Sequence, residues 1–230
     1  MNFLQIVQAL NRETVDSGTI TTVVSQTGQA GRAVAWCADA WTELQIDRDD
    51  WKWMRKSFTV NTVSSISAYA YGDCTDTVTS VAIARFSRWY RNTFKCYRQS
   101  DGVAAEYPLI WMPWERFRRI YQYGTQTDGK PVHFSQNPST EKFVLGPAPD
   151  AVYVVSGDYQ IGAQILAADA DIPEMPTQYH NLIMYEAMAK YGGNRIAPEA
   201  MVRANSEGGR IRFNLETNQL PMLTHGRALA

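Results

Sequence analysis

The sequence predicts an α+β protein: a helical bundle of about four helices that carries an inserted antiparallel β domain, either a sandwich or a partly open barrel. Three observations carry this reading. Apolar residues recur at helical spacing near both ends of the chain. Between about residues 53 and 159 that period gives way to short β-branched and aromatic clusters separated by Gly, Pro, Asp and Asn. A linker at 169–176 with two prolines then precedes the return of the helical period.

Phe3, Ile6, Val7 and Leu10 mark the buried face of a first helix over 3–15, with Asn2 and Gln5 spaced as a capping pair and Ser17-Gly18 as the stop. Ala30, Ala33, Val34, Cys37, Ala40, Trp41 and Leu44 mark a second helix over 28–47, whose small residues permit close helix approach. Strands are expected at 57–63, 66–71, 78–86, 93–97, 132–135, 143–145 and 152–159. A short helix behind Pro113 interrupts them, with Trp114, Phe117, Ile120 and Tyr121 at helical spacing. Tyr179, Leu182, Ile183, Ala187 and Tyr191 describe a third bundle helix closed by Gly192-Gly193. Pro198 opens a fourth, which is expected to kink or end at Gly208-Gly209. The expected division is therefore 1–52 with 175–216 as the bundle, 53–174 as the β domain with its linker, and 217–230 as a C-terminal tail. An insertion of this kind needs its two ends close together.

Composition bounds the function. The 230 residues are 45% hydrophobic and 20% charged, the balance of a folded globular chain, and the net charge of −1 supplies no long-range field for nucleic acid or an anionic surface. No apolar run approaches the roughly 18 residues of a membrane span, and no membrane partner is expected. Cys37, Cys74 and Cys96 are odd in number and far apart, which suits buried reduced thiols. His133, His180 and His225 form no metal-binding pair, and Walker, GxSxG and GxGxxG motifs are absent. No enzymatic activity, cofactor or metal is expected. Asp169 and Asp171 read as solvated carboxylates near a helix N-terminus. The stretch 85–91, Arg-Phe-Ser-Arg-Trp-Tyr-Arg, is compatible with nucleic acid, where cations meet phosphates and rings stack on bases. It reads equally well as a strand and turn with a solvated face, and Arg116, Arg118 and Arg119 add a second basic patch.

The second half holds a recognisable run of motifs. Gly129-Lys130-Pro131-Val132-His133-Phe134-Ser135 is followed by Leu145-Gly146-Pro147-Ala148-Pro149-Asp150, Tyr153 and Gly157-Asp158-Tyr159. Residues 169–176 read Asp-Ala-Asp-Ile-Pro-Glu-Met-Pro, and Tyr179-His180-Asn181-Leu182-Ile183 and Ala187-Met188-Ala189-Lys190-Tyr191-Gly192 complete the pattern. The chain resembles the head-to-tail adaptor, or connector, proteins of tailed bacteriophages. It departs at Gly208-Gly209, where related proteins have a continuous charged helix.

The resemblance implies a structural virion protein of the neck. Twelve copies would form a ring on the portal protein, extend the DNA channel with only passive DNA contact, and dock the tail or nozzle proteins. A tail-completion or stopper protein is the next reading, and a nucleic-acid-binding module the third. His180, in the family position, is read as an anchor for a helix start. The C-terminal segment is the expected portal-binding element. It lacks a period of its own yet carries Leu215, Leu220, Met222, Leu223 and Leu229, with Arg227 as a polar contributor.

Overall fold

The computed structural model describes residues 1–14, 18–195 and 197–221. These form an α+β protein with two compact units, 1–54 with the segment from 163 onward, and 55–162.

The helical unit contains α1 (Phe3–Thr14), α2 (Gly28–Ile46), α4 (Asn181–Arg195) and α5 (Pro198–Gln219); the short α3 (Trp114–Tyr121) belongs to the other unit. The expected capping pair opens α1: the Gln5 N–H donates to Asn2 Oδ1 at 2.9 Å, and the Asn2 N–H donates to Gln5 Oε1 at 3.0 Å. Phe3, Ile6, Val7 and Leu10 are buried, as their spacing predicts. Helix α4 packs against α1, α2 and α5, and it buries Leu182, Ile183, Met184, Ala187 and Met188. A helix with neighbours on several sides needs no single apolar stripe.

Two glycine pairs expected to stop helices do not. Helix α4 runs through Gly192-Gly193 to Arg195, and α5 runs through Gly208-Gly209 to Gln219. A side chain at 192 would stand 2.5 Å from Met201 Cγ, and one at 208 would stand 3.2 Å from Tyr185 Cβ. Both glycines mark places where α4 and α5 approach closely, and packing there outweighs their poor helix propensity of about 1 kcal/mol.

The β unit holds two open sheets. The first contains β1 (Arg55–Asn61), β3 (Thr75–Asp76), β4 (Arg88–Trp89), β5 (Lys95–Arg98), β6 (Tyr107–Pro108) and β10 (Tyr153–Gln160). Its order is β3-β1-β10-β5-β6, with β4 also on β10. The second has the order β2-β9-β8-β7, from β2 (Ala68–Tyr69), β7 (Ile110–Trp111), β8 (His133–Gln136) and β9 (Phe143–Gly146). It is mixed, because β7 and β8 are parallel and α3 (Trp114–Tyr121) lies between them in sequence. Neither sheet closes, so the unit is not a closed barrel.

Phe58 of β1, Trp89 of β4, Phe134 of β8, Phe143 of β9 and Phe94 form one buried aromatic core shared by the two sheets. The Phe94 and Phe134 rings stack at 4.1 Å. Strand β1 enters the unit and β10 leaves it, and they pair antiparallel with Arg55 opposite Gln160. The ends of the insertion are therefore adjacent, which is the geometry such an insertion requires.

Two expectations change here. The expected strand over 78–86 does not form: a turn at 77–79 is followed by irregular chain with one isolated bridge, Ala82 to Thr75. Asp76 accepts from the Val78 and Thr79 N–H groups and from the Thr79 and Tyr159 hydroxyls, and Val78 is 79% exposed. Burial pulls the Asp76 carboxyl upward, but these hydrogen bonds outweigh it and hold the group below the usual carboxylate range. The β unit also closes at Gly162, so the expected linker at 169–176 is part of the helical unit.

Candidate functional site

The assembly surface expected from the sequence lies where α5 ends. Helix α5 begins with Pro198 in its first turn, where a missing N–H costs nothing, and lays Ala204, Gly208 and Leu215 inward. Its last turns are fastened to the segment that follows α2. The Arg212 guanidinium donates to Asp47 Oδ2 at 2.8 Å and to Glu186 Oε1 of α4 at 3.0 Å. Arg48 meets Glu216 at 3.3 Å, and Lys52 Nζ donates to the Asn218 carbonyl at 2.9 Å. Each exposed pair contributes little alone, but together they fix the point from which the chain continues beyond Pro221.

The six predicted tail residues fare differently. Leu215 is fully buried inside α5 and belongs to the core, which corrects its assignment to an irregular tail. Leu220 is half-buried just past the helix end. Met222, Leu223, Arg227 and Leu229 lie outside the described residues. The tail therefore starts later than expected, after Gln219. Beside the last turns of α5 runs a groove of about 630 Å³ lined by Gln178, Tyr179, Asn181, Ile211, Phe213, Asn214 and Asn218, among others. Phe213 is 69% exposed at its side, as is Val202 at the opposite end of the helix. Sequence periodicity did not reveal the groove or the Arg212 clamp, because both join segments far apart in the chain.

The other candidate residues are structural. His180 is buried immediately before α4, with Nε2 3.0 Å from the Met175 carbonyl and Nδ1 2.9 Å from the Met1 amino nitrogen. A proton on Nε2 satisfies both contacts, Nε2 donating and Nδ1 accepting. Burial, with the nearby amino group of Met1, lowers the His180 pKa and keeps the ring neutral.

Asp169 and Asp171 are not solvated dipole partners of α4. The Asp169 carboxylate accepts from the Val23 N–H and the Thr22 hydroxyl, and that of Asp171 accepts from the Ala167 and Ala168 N–H groups. Their backbone carbonyls accept from the Leu4 and Phe3 N–H groups and so cap the start of α1. The Asp171 hydrogen bonds hold its carboxyl below the usual range.

In the stretch 85–91 Trp89 is buried, and Phe86 and Tyr90 are half-buried. Trp89 lies in the aromatic core, Phe86 stacks on Tyr71 at 5.2 Å, and the Tyr90 hydroxyl bonds Gln160. Each of these rings is engaged with other protein groups. The exposed basic residues of the second patch, Arg116, Arg118 and Arg119, sit on α3.

Burial pushes the Cys74 thiol up to about 12 and Cys96 to about 11, and it also raises Cys37, so none is a ready nucleophile. Among the described residues no group of three His, Cys, Asp or Glu side chains is placed to hold a metal ion, and no helix is long and apolar enough to cross a membrane.

The chain is thus a bundle with an inserted open-sheet unit and a last helix clamped at its exit. The family model described as SU10 adaptor protein matches residues 1–212. The chain belongs to the SU10 adaptor protein family. The match confirms the resemblance to phage head-to-tail adaptors and spans both units of this adaptor. It ends at Arg212, within α5, so Leu215 and the other tail residues fall beyond the matched part. No curated protein matches the sequence.

Proposed function

We propose that this adaptor is a non-catalytic subunit of a twelve-copy ring that sits on the portal protein in the virion neck. The ring extends the DNA channel, touches DNA only passively, and offers the tail or nozzle proteins a docking surface. The observation that carries the proposal is the family match across both units.

The portal-reaching element in this proposal is the segment after α5: Leu220, Met222, Leu223 and Leu229, with Arg227 adding polar contacts. Four such apolar side chains contribute about 1.5 kcal/mol or more each when fully buried, which offsets part of the cost of ordering a short segment. Leu215 is left out because it is already buried within the subunit.

The test has two arms. Truncation after Pro221 leaves α5 intact, and the truncated protein is expected to fold but to lose attachment to portal-containing, DNA-filled heads. Undiminished attachment would move the portal contact to the helical unit. A reconstruction of the neck is expected to count twelve copies, and six or fewer would refute the ring.

A further inference from the structure

The formal charge of this chain is unevenly placed. Residues 55–162, the β unit, hold 12 Lys and Arg against 9 Asp and Glu, a net +3, whereas the remaining residues hold 10 against 14, a net −4. The excess lies in one stretch of the β unit: residues 85–119 hold 8 Lys and Arg against 3 Asp and Glu. Those three carboxylates are engaged locally. Glu106 meets Lys95 at 3.0 Å, Glu115 meets Arg118 at 4.0 Å, and Asp101 accepts from the Ser100 hydroxyl. Arg91, Arg116 and Arg119 are exposed, and among the described residues they form no ion pair. A net charge of −1 for the whole chain thus coexists with a local cationic surface.

We infer that Arg91, Arg116 and Arg119, with Arg118 beside them, form a binding surface for the phosphate backbone of a nucleic acid, without regard to its sequence. The Arg91 guanidinium lies 4.4 Å over the half-buried ring of Trp111. A guanidinium held flat on an indole keeps its N–H donors in a fixed plane, so less freedom is lost when it meets a phosphate. Trp111 ends β7 and α3 starts three residues later, which keeps Arg119 within about 20 Å of Trp111 by chain length. A backbone strand, at about 3.4 Å per nucleotide, carries several phosphates past a tract of that length. Helix α3 buries Phe117, and apart from Ile120 its exposed positions are Glu115, Arg116, Arg118 and Arg119. Charged residues are depleted at the centre of protein–protein contacts, whereas contact with phosphates needs only cations and polar donors. This gives the passive DNA contact of the proposed function a place and a chemistry on the β unit. That consequence rests on the proposed channel, whereas the binding itself does not.

The test uses the free full-length protein and a fluorescent DNA duplex, with binding followed by anisotropy across a salt series. Combining Arg91→Gln, Arg116→Gln and Arg119→Gln is expected to weaken binding about tenfold or more near 50 mM salt, and to make log affinity against log salt shallower by about 2–3. The same three positions changed to Lys keep the charge and are expected to keep the slope, which separates lost charge from lost folding. A control removes equal charge from exposed sites of the helical unit, through Arg12→Gln, Arg32→Gln and Arg210→Gln, and is expected to bind like the parent. No binding by the parent at low salt overturns the inference. So does an equal loss in the control, which would report net charge alone, or a strong preference between duplexes of unrelated sequence, which would report base contacts. Self-association without DNA that the triple Gln variant abolishes would assign the surface to a second copy and overturn it too. Heads and portal take no part, so the result stands apart from the attachment assay and from the count of copies in the neck.

Discussion

The two units reach compactness by different means. The helical unit joins segments from opposite ends of the sequence, and its helices meet through small residues and polar clamps: Gly192 and Gly208 between α4 and α5, and Arg212 bridging Asp47 and Glu186. The β unit is continuous in sequence and is held by large rings, with Phe58 alone within 6.4 Å of Trp89, Phe94, Phe143 and Tyr159. The helical unit, around a core that includes Trp41 and Trp51, thus depends in addition on close backbone approach, and the β unit depends on bulk. The first should be most sensitive to added atoms, the second to removed ones.

The largest effect is expected from removing bulk in the β unit. Phe58→Ala leaves a cavity at the junction of four other rings and is expected to cost about 3–5 kcal/mol. Urea unfolding followed by near-ultraviolet circular dichroism measures it, because buried aromatic rings contribute to that signal. A loss below about 1 kcal/mol would show that the two sheets do not depend on the shared aromatic core.

The reverse change probes the helical unit. Gly208→Leu drives a side chain toward Tyr185, whose Cβ already lies 3.2 Å from the position a Cβ would take. Overpacking of this kind costs about 1–3 kcal/mol, well above the helix propensity gained. Thermal unfolding followed by far-ultraviolet circular dichroism reads it. A stabilised variant would show that α4 and α5 can separate freely, and the contrast between the units would fail.

The same contrast explains what was legible in the sequence. Helices α1 and α2 were readable almost to the residue, because one buried face alternates with solvent and writes a 3.6-residue period. The family motifs carried the adaptor resemblance. Two failures came from local signals overridden by tertiary packing: Gly192-Gly193 and Gly208-Gly209 have the composition of helix stops, and only the neighbouring helix reveals that the first glycine of each pair is a contact point. Val78 and Val81 have strand composition, but Asp76 captures the next backbone groups and turns the chain. The Arg212 clamp spans 165 residues to Asp47, a distance over which no pattern in one sequence pairs a cation with its carboxylate. At the candidate site, Leu215 reads as one of the apolar residues of a segment without a period, whereas α5 runs past it and buries it.

A third effect depends on pH. His180 is neutral when buried, and its folded pKa lies below the 6.5 of the free side chain. Above about pH 6.5 neither state binds the proton and the stability is fully present. As pH falls through 6.5 the unfolded chain takes up a proton first, so stability is lost until the folded pKa is passed. The urea midpoint is expected to fall between about pH 7 and 5, and His180→Gln should lose that part of the slope while losing some stability at every pH. An identical slope in the two proteins would remove His180 as the source.

The smallest expected effect gives the sharpest control, because it sits one residue from Gly208. A side chain at Gly209 would meet nothing within 4 Å. Within the subunit this glycine therefore has no packing reason, and it leaves α5 with more backbone freedom to lose on folding than alanine would. Gly209→Ala is expected to stabilise the free protein by up to about 1 kcal/mol, raising its melting temperature by a few degrees. The neighbouring Gly208→Leu lowers it, and opposite signs at adjacent positions would show that packing against Tyr185, not helix propensity, sets the requirement for glycine at 208. If Gly209→Ala were destabilising instead, α5 would have to be strained at this point in a way its continuous run to Gln219 does not suggest. If it stabilised the free protein yet weakened assembly on heads, the open face of α5 at 209 would be a contact made only in the ring, where a second backbone comes too close for even a methyl group.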